Sequence, residues 1–80
     1  MHIGQKIREI LNEKEITVVS FARQLSYTRT NIYKILDKKS IDTDLLLRIC
    51  VILEHDFFSD YQNELHTKNT QSPYDVSPIS

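Results

Sequence analysis

Ile16-Thr17-Val18-Val19-Ser20-Phe21-Ala22-Arg23-Gln24-Leu25-Ser26-Tyr27-Thr28-Arg29-Thr30-Asn31-Ile32-Tyr33-Lys34-Ile35 is the stretch whose reading decides the fold. Val18, Phe21, Ala22 and Leu25 recur at the spacing of one helix face, and Thr17 stands where an N-cap belongs. Ser26-Tyr27 interrupts the pattern. Thr28 then offers a second N-cap, and Ile32, Ile35 and Leu36 mark the inner face of a following helix. Two helices this short and this close cannot stand independently. Ala22 falls where they cross, because only a small side chain lets two backbones approach there. Leu25, Ile32 and Ile35 fill the angle, with Phe21 and Tyr27 on its flanks. The spacing is that of a helix-turn-helix.

Helical periodicity continues outward on both sides. Ile3, Ile7, Ile10 and Leu11 define one face of a first helix of about three turns, and Ile16 anchors its connection to the second. Lys38–Ile41 is a polar connection, after which Asp42 caps a fourth helix reaching about Glu54. Asp56 caps a fifth, where Phe57, Phe58, Tyr61 and Leu65 fall at i, i+1, i+4 and i+8. From His66 the chain turns to Thr, Asn, Gln, Ser and Pro. The reading is an all-α domain of five short helices over residues 1–65, followed by a disordered polar tail at 66–80.

Composition agrees. Eighty residues with 40% hydrophobic and 26% charged side chains suit one soluble domain. The chain has one glycine, and both prolines lie in its last eight residues, which argues against a turn-rich β fold. Cys50 stands alone, so no internal disulfide forms, and a reducing cytoplasm is expected. No apolar run reaches the ~20 residues of a membrane span, and the N-terminus lacks the pattern of a signal peptide.

The net charge of −1 averages over unlike segments. Between 23 and 39, Arg23, Arg29, Lys34, Lys38 and Lys39 face only Asp37. Between 42 and 64, Asp42, Asp44, Glu54, Asp56, Asp60 and Glu64 face only Arg48. A basic centre beside an acidic C-terminal half suits a domain that turns one face to phosphates.

The segment from Ile16 to Ile35 resembles the lambda-repressor/Cro-like (Xre-type) helix-turn-helix regulators, and the resemblance extends over about residues 3–61. Ala22, Leu25, the Thr28-Arg29-Thr30-Asn31-Ile32 run and Ile35 carry it best. Asp42-Thr43-Asp44-Leu45-Leu46-Leu47-Arg48-Ile49, followed by Leu53, looks like the family's fourth helix. The resemblance implies a bacterial transcriptional regulator, most simply a repressor, that binds double-stranded DNA as a homodimer. Three positions depart from the pattern. Ser26 replaces the glycine of the turn, Lys38 replaces a glycine after the third helix and forgoes its C-cap, and Val18 replaces a phosphate-binding glutamine.

At about 100° per residue, the face opposite Ile32, Ile35 and Leu36 carries Thr30, Tyr33 and Lys34, with Arg29 at its N-terminal edge. Such a helix fits the major groove. Arg29, Thr30, Tyr33 and Lys34 are therefore the base-reading candidates. Arg29 has the geometry to donate twice to guanine, and Thr30 to meet a base or a thymine methyl. Arg23, Thr28, Asn31, Lys38 and Lys39 are the phosphate candidates, which set affinity rather than sequence preference.

The remaining chemistry reads as structural. His2, His55 and His66 lack the spacing of a zinc site and are expected to be solvated. Cys50 is expected buried and inert, and Asp42 and Asp44 complement a helix dipole. With no phosphate loop or catalytic spacing, no enzymatic activity, metal or cofactor is expected. The run from Leu45 to Leu53 leaves only Arg48 for water, an excess over one buried stripe. Either this is a central helix covered by the first, third and fifth, or one side packs against a second subunit, with Leu47, Val51, Phe57, Phe58 and Tyr61 as the candidates for a dimer interface. The competing reading is an antitoxin- or adaptor-type module whose apolar C-terminal helices bind another protein.

Overall fold

A computed structural model describes residues 1–69. Five helices follow one another: α1 (Ile3–Glu13), α2 (Val18–Leu25), α3 (Arg29–Leu36), α4 (Thr43–Leu53) and α5 (Phe57–Asn69). The all-α reading is correct. The fifth helix continues through His66–Asn69, past the point where the sequence suggested a polar tail. The rest of that expected tail, 70–80, lies outside the described residues.

Local chemistry starts each helix. A capping side chain must accept a bond from one of the first, otherwise unpaired N–H groups. Thr17 Oγ1 accepts from Ser20 N at 3.1 Å, and Thr28 Oγ1 accepts from Asn31 N at 3.1 Å. Asp42 Oδ1 accepts from Leu45 N at 2.8 Å, and Asp56 Oδ1 accepts from Ser59 N at 3.0 Å. These four caps are those the sequence suggested. The fifth was missed: His2 is half-buried and caps α1, its Nδ1 accepting from Gln5 N at 3.1 Å.

Helix ends are closed with little glycine. Ser26 (φ 61°) ends α2 and Glu54 (φ 52°) ends α4, both in the left-handed region, and Glu15 (φ 58°) shares that region after α1. Side chains with a Cβ lose about 1–2 kcal/mol there. Glycine at Ser26 removes that strain but adds about 0.4–1 kcal/mol of unfolded-state freedom. Ser26→Gly is therefore expected to stabilise the domain by about 0.5–1 kcal/mol, a rise of about 2–8 °C in Tm. Thermal unfolding checks this, and an unchanged or lower Tm would show that the turn is unstrained. The missing glycine at Lys38 proves immaterial. Asp37 closes α3 in a right-handed conformation, and Lys38 N donates to Ile35 O at 3.0 Å, so no left-handed residue is required.

The chain's one glycine serves packing instead. Gly4 sits inside α1 against the end of α3, where a Cβ would overlap the Leu36 carbonyl and lie 2.8 Å from Ile35 O. Beside this contact, Ile3 N donates to Lys39 O at 3.0 Å and Gly4 N donates to Lys38 O at 2.9 Å. The unpaired N–H groups of α1 thus hold the α3–α4 connection. Behind it lies the core, drawn from one stripe of each helix: Ile7 and Leu11 from α1, Phe21 and Leu25 from α2, Ile32 and Leu36 from α3, Ile49 and Leu53 from α4, and Phe57 from α5.

Candidate nucleic-acid interface

The fold gives α3 one buried and one open side. Ile32, Ile35 and Leu36 enter the core, while Arg29, Thr30, Tyr33 and Lys34 are exposed on the helix that remains. Tyr33 is 45% exposed, unusual for an aromatic side chain with a core at hand. Asn31 is also exposed, on the flank. The helix is presented by α2 on one side and α1 on the other, both packed against it. Ala22 is 4% exposed, buried in the core that α2 and α3 share. Tyr27 N closes the turn between them by donating to Ala22 O at 2.8 Å.

The phosphate candidates surround this face. Arg23 lies in the last turn of α2, Thr28 at the α3 N-cap, and Lys38 and Lys39 in the connection that α1 holds by its N–H groups. All are exposed. Thr28 spends its oxygen as an acceptor in the cap, which leaves its O–H free to donate. Among the described residues the ion pairs are Met1–Glu64, Lys6–Glu9 and His55–Asp60. None involves Arg23, Arg29, Lys34, Lys38 or Lys39. Five cations therefore lie on or next to one helix with Asp37 as the one acid in their segment and with no ion pair among the described residues, which suits a phosphate-facing surface.

The acidic half is arranged differently from this face. Asp42 and Asp44 occupy the start of α4, where they meet the positive end of the helix dipole. His55, expected in solvent, is half-buried: its Nε2 lies 2.7 Å from Asp60 Oδ2 and its ring meets Phe57 edge-on at 4.5 Å. Cys50 is half-buried, its Sγ accepting from Phe57 N at 3.4 Å. Among the described residues, no group of three His, Cys, Asp or Glu side chains is placed to hold a metal ion. No helix among them is long and apolar enough to cross a membrane.

The apolar excess of α4 divides three ways. Leu46, Ile49 and Leu53 are buried, Leu45, Cys50 and Ile52 are half-buried, and Leu47 and Val51 stand 55% and 70% exposed. With Phe58, 39% exposed, they line an open groove between α4 and the start of α5. Phe57 has no part in this surface, because it is completely buried in the domain's own core. Tyr61 packs half-buried against that core, and burial, with the Glu64 carboxylate nearby, raises the pKa of its phenol. Arg48 is exposed, as the sequence reading expected, and its guanidinium also makes a bond within the domain: Nη2 donates to Leu25 O at 3.0 Å.

Two short packed helices joined by a tight turn, with the second carrying an exposed polar and cationic face, are the arrangement of a helix-turn-helix DNA-binding domain. Residues 6–59 match the family model of the Cro/C1-type HTH DNA-binding domain. The match spans more than half of the chain, and the chain belongs to this family. Comparison with curated proteins and with solved structures gave no match.

Proposed function

We propose that the chain is a sequence-specific transcriptional regulator that inserts α3 into the major groove of double-stranded DNA and acts as a repressor. One observation carries this reading: Arg29, Thr30, Tyr33 and Lys34 share the exposed side of a helix whose other side is buried, and among the described residues neither Arg29 nor Lys34 is in an ion pair. Arg29, at the helix start, donates to guanine O6 and N7; Thr30, Tyr33 and Lys34 follow along the groove. Arg23, Thr28, Asn31, Lys38 and Lys39 grip the flanking backbone and fix the register. Repression follows from occupancy alone, since a domain seated on its site excludes other proteins from that DNA. The cell compartment that suits this role is the cytoplasm of a bacterium, at the nucleoid. Selection of bound duplexes from a random pool tests the reading. It should return a defined consensus of two related halves, and recovery of no preferred sequence would overturn it.

In this reading two copies bind together. Leu47, Val51 and Phe58 form an exposed apolar surface that shares no residue with the α3 face, so a second copy seated there leaves both reading helices free. Two linked domains on half-sites about 34 Å apart act as one ligand and gain affinity over either alone. Sedimentation at micromolar concentration should give about twice the 9.4 kDa chain mass. Val51→Glu, at the most exposed of the three positions, should give a folded monomer with weakened binding to the two-fold site. A wild-type chain that stays monomeric both free and on DNA would refute the pairing and leave the groove to a different protein, as in the adaptor reading.

A further inference from the structure

We propose that Arg48 is a positioning residue for DNA recognition, its guanidinium tying α4 to the turn between α2 and α3 and so fixing the angle at which α3 is presented. The inference rests on the reading of α3 as the base-reading helix. A helix leaves its last four carbonyls without partners inside the helix. In α2 these belong to Ala22, Arg23, Gln24 and Leu25. The turn itself satisfies two of them, through Tyr27 N to Ala22 O at 2.8 Å and Ser26 N to Arg23 O at 3.2 Å. Leu25 O receives its bond from a different helix, from Arg48 Nη2 at 3.0 Å in a partly buried setting.

Three features make this contact more than a surface bond. The donor is charged and sits at the negative end of the α2 dipole, where a cation is favoured. The same guanidinium lies 5.9 Å from the ring centre of Tyr27, the residue after the left-handed Ser26, so one planar group contacts both sides of the turn. Finally, Arg48 is the only Lys or Arg in the acidic segment 42–64, and although exposed it bonds the turn and is in no ion pair with any of the six carboxylates among the described residues. Only two residues separate Leu25 from the Thr28 cap that starts α3. A shift in the Leu25–Tyr27 backbone therefore moves Arg29 and Thr30 relative to the base edges, and displacements well under a hydrogen-bond length decide base readout.

Arg48→Met keeps the aliphatic stem and removes the donor, and Arg48→Lys restores one charged donor. Wild type and both variants are titrated with the selected duplex and with a scrambled duplex over a range of salt, well below the Tm of each. Amide hydrogen exchange is followed in the free proteins. Arg48→Met should weaken binding to the selected duplex about tenfold. It should leave scrambled-duplex binding and the salt slope unchanged and speed exchange at Tyr27 N–H. Arg48→Lys should recover part of each effect. If the variant loses thermal stability while its folded form keeps full discrimination, Arg48 is a structural residue only and the inference fails. Equal loss on both duplexes with a shallower salt slope would make it a phosphate contact, which also overturns it. Failure of wild type to prefer any duplex would instead overturn the reading of α3, while the exchange measurement would still report on the Arg48 contact.

Discussion

Affinity for the preferred duplex should fall about 10³-fold as monovalent salt rises from about 50 to about 200 mM. In the proposed reading three cations per chain, Arg23, Lys38 and Lys39, meet phosphates, and among the described residues none has an ion pair. The proposed pair of chains would then neutralise about six phosphates, each contributing about 0.9 to the slope of log affinity against log salt. Lys39→Ala should weaken selected and unrelated duplexes alike and reduce the slope by about 1 per chain. Titration by fluorescence anisotropy at four salt concentrations measures both. A flat salt dependence would show that the five unpaired cations do not face DNA.

Gly4→Ala should destabilise the domain by about 3 kcal/mol or more, lowering Tm by about 12–24 °C. A methyl group at Gly4 meets backbone, not a movable side-chain tip, at Leu36 O and Ile35 O. Relief requires α1 to withdraw from α3, which also breaks the bonds from Ile3 N to Lys39 O and Gly4 N to Lys38 O. A domain of this size holds only about 4–10 kcal/mol in total. The added helix propensity of alanine, about 1 kcal/mol, does not offset the overlap. Because the same contact holds Lys38 and Lys39, the folded fraction should also lose affinity for every duplex. Thermal unfolding followed by circular dichroism measures the stability change. A Tm within a few degrees of wild type would show that α1 and α3 pack less closely than described.

What the sequence revealed and what it concealed divide along a physical line. Thr17, Thr28, Asp42 and Asp56 were legible as caps because a cap is a bond across three residues, written locally. The buried side of α3 was legible for the same reason, since Ile32, Ile35 and Leu36 repeat at the helical period. Gly4 was not, because its reason lies in a carbonyl more than thirty residues away. Its one signal was the presence of the sole glycine within an otherwise regular helix. Arg48 left a similar trace, a single cation in an apolar run, but its partner, a backbone carbonyl, has no signature in sequence. Period alone does not decide which of two adjacent aromatics turns inward, so Phe57 was grouped with Phe58 although only Phe57 is buried. The helical stretch His66–Asn69 was hidden by composition: polar residues mark a tail but also suit the wet side of a helix.

The central claim is that α3 reads bases through its exposed face, and the most direct measurement is the consensus selected from random duplexes by wild type and by Arg29→Ala in parallel. Loss of a bidentate contact from Arg29 should cost about 1–3 kcal/mol on the wild-type site. The variant's consensus should lose its preference at one base pair in each half-site and keep the other positions. An unchanged consensus, with affinity lowered equally for every sequence, would make Arg29 a phosphate contact and contradict the assignment of α3 as the reading helix.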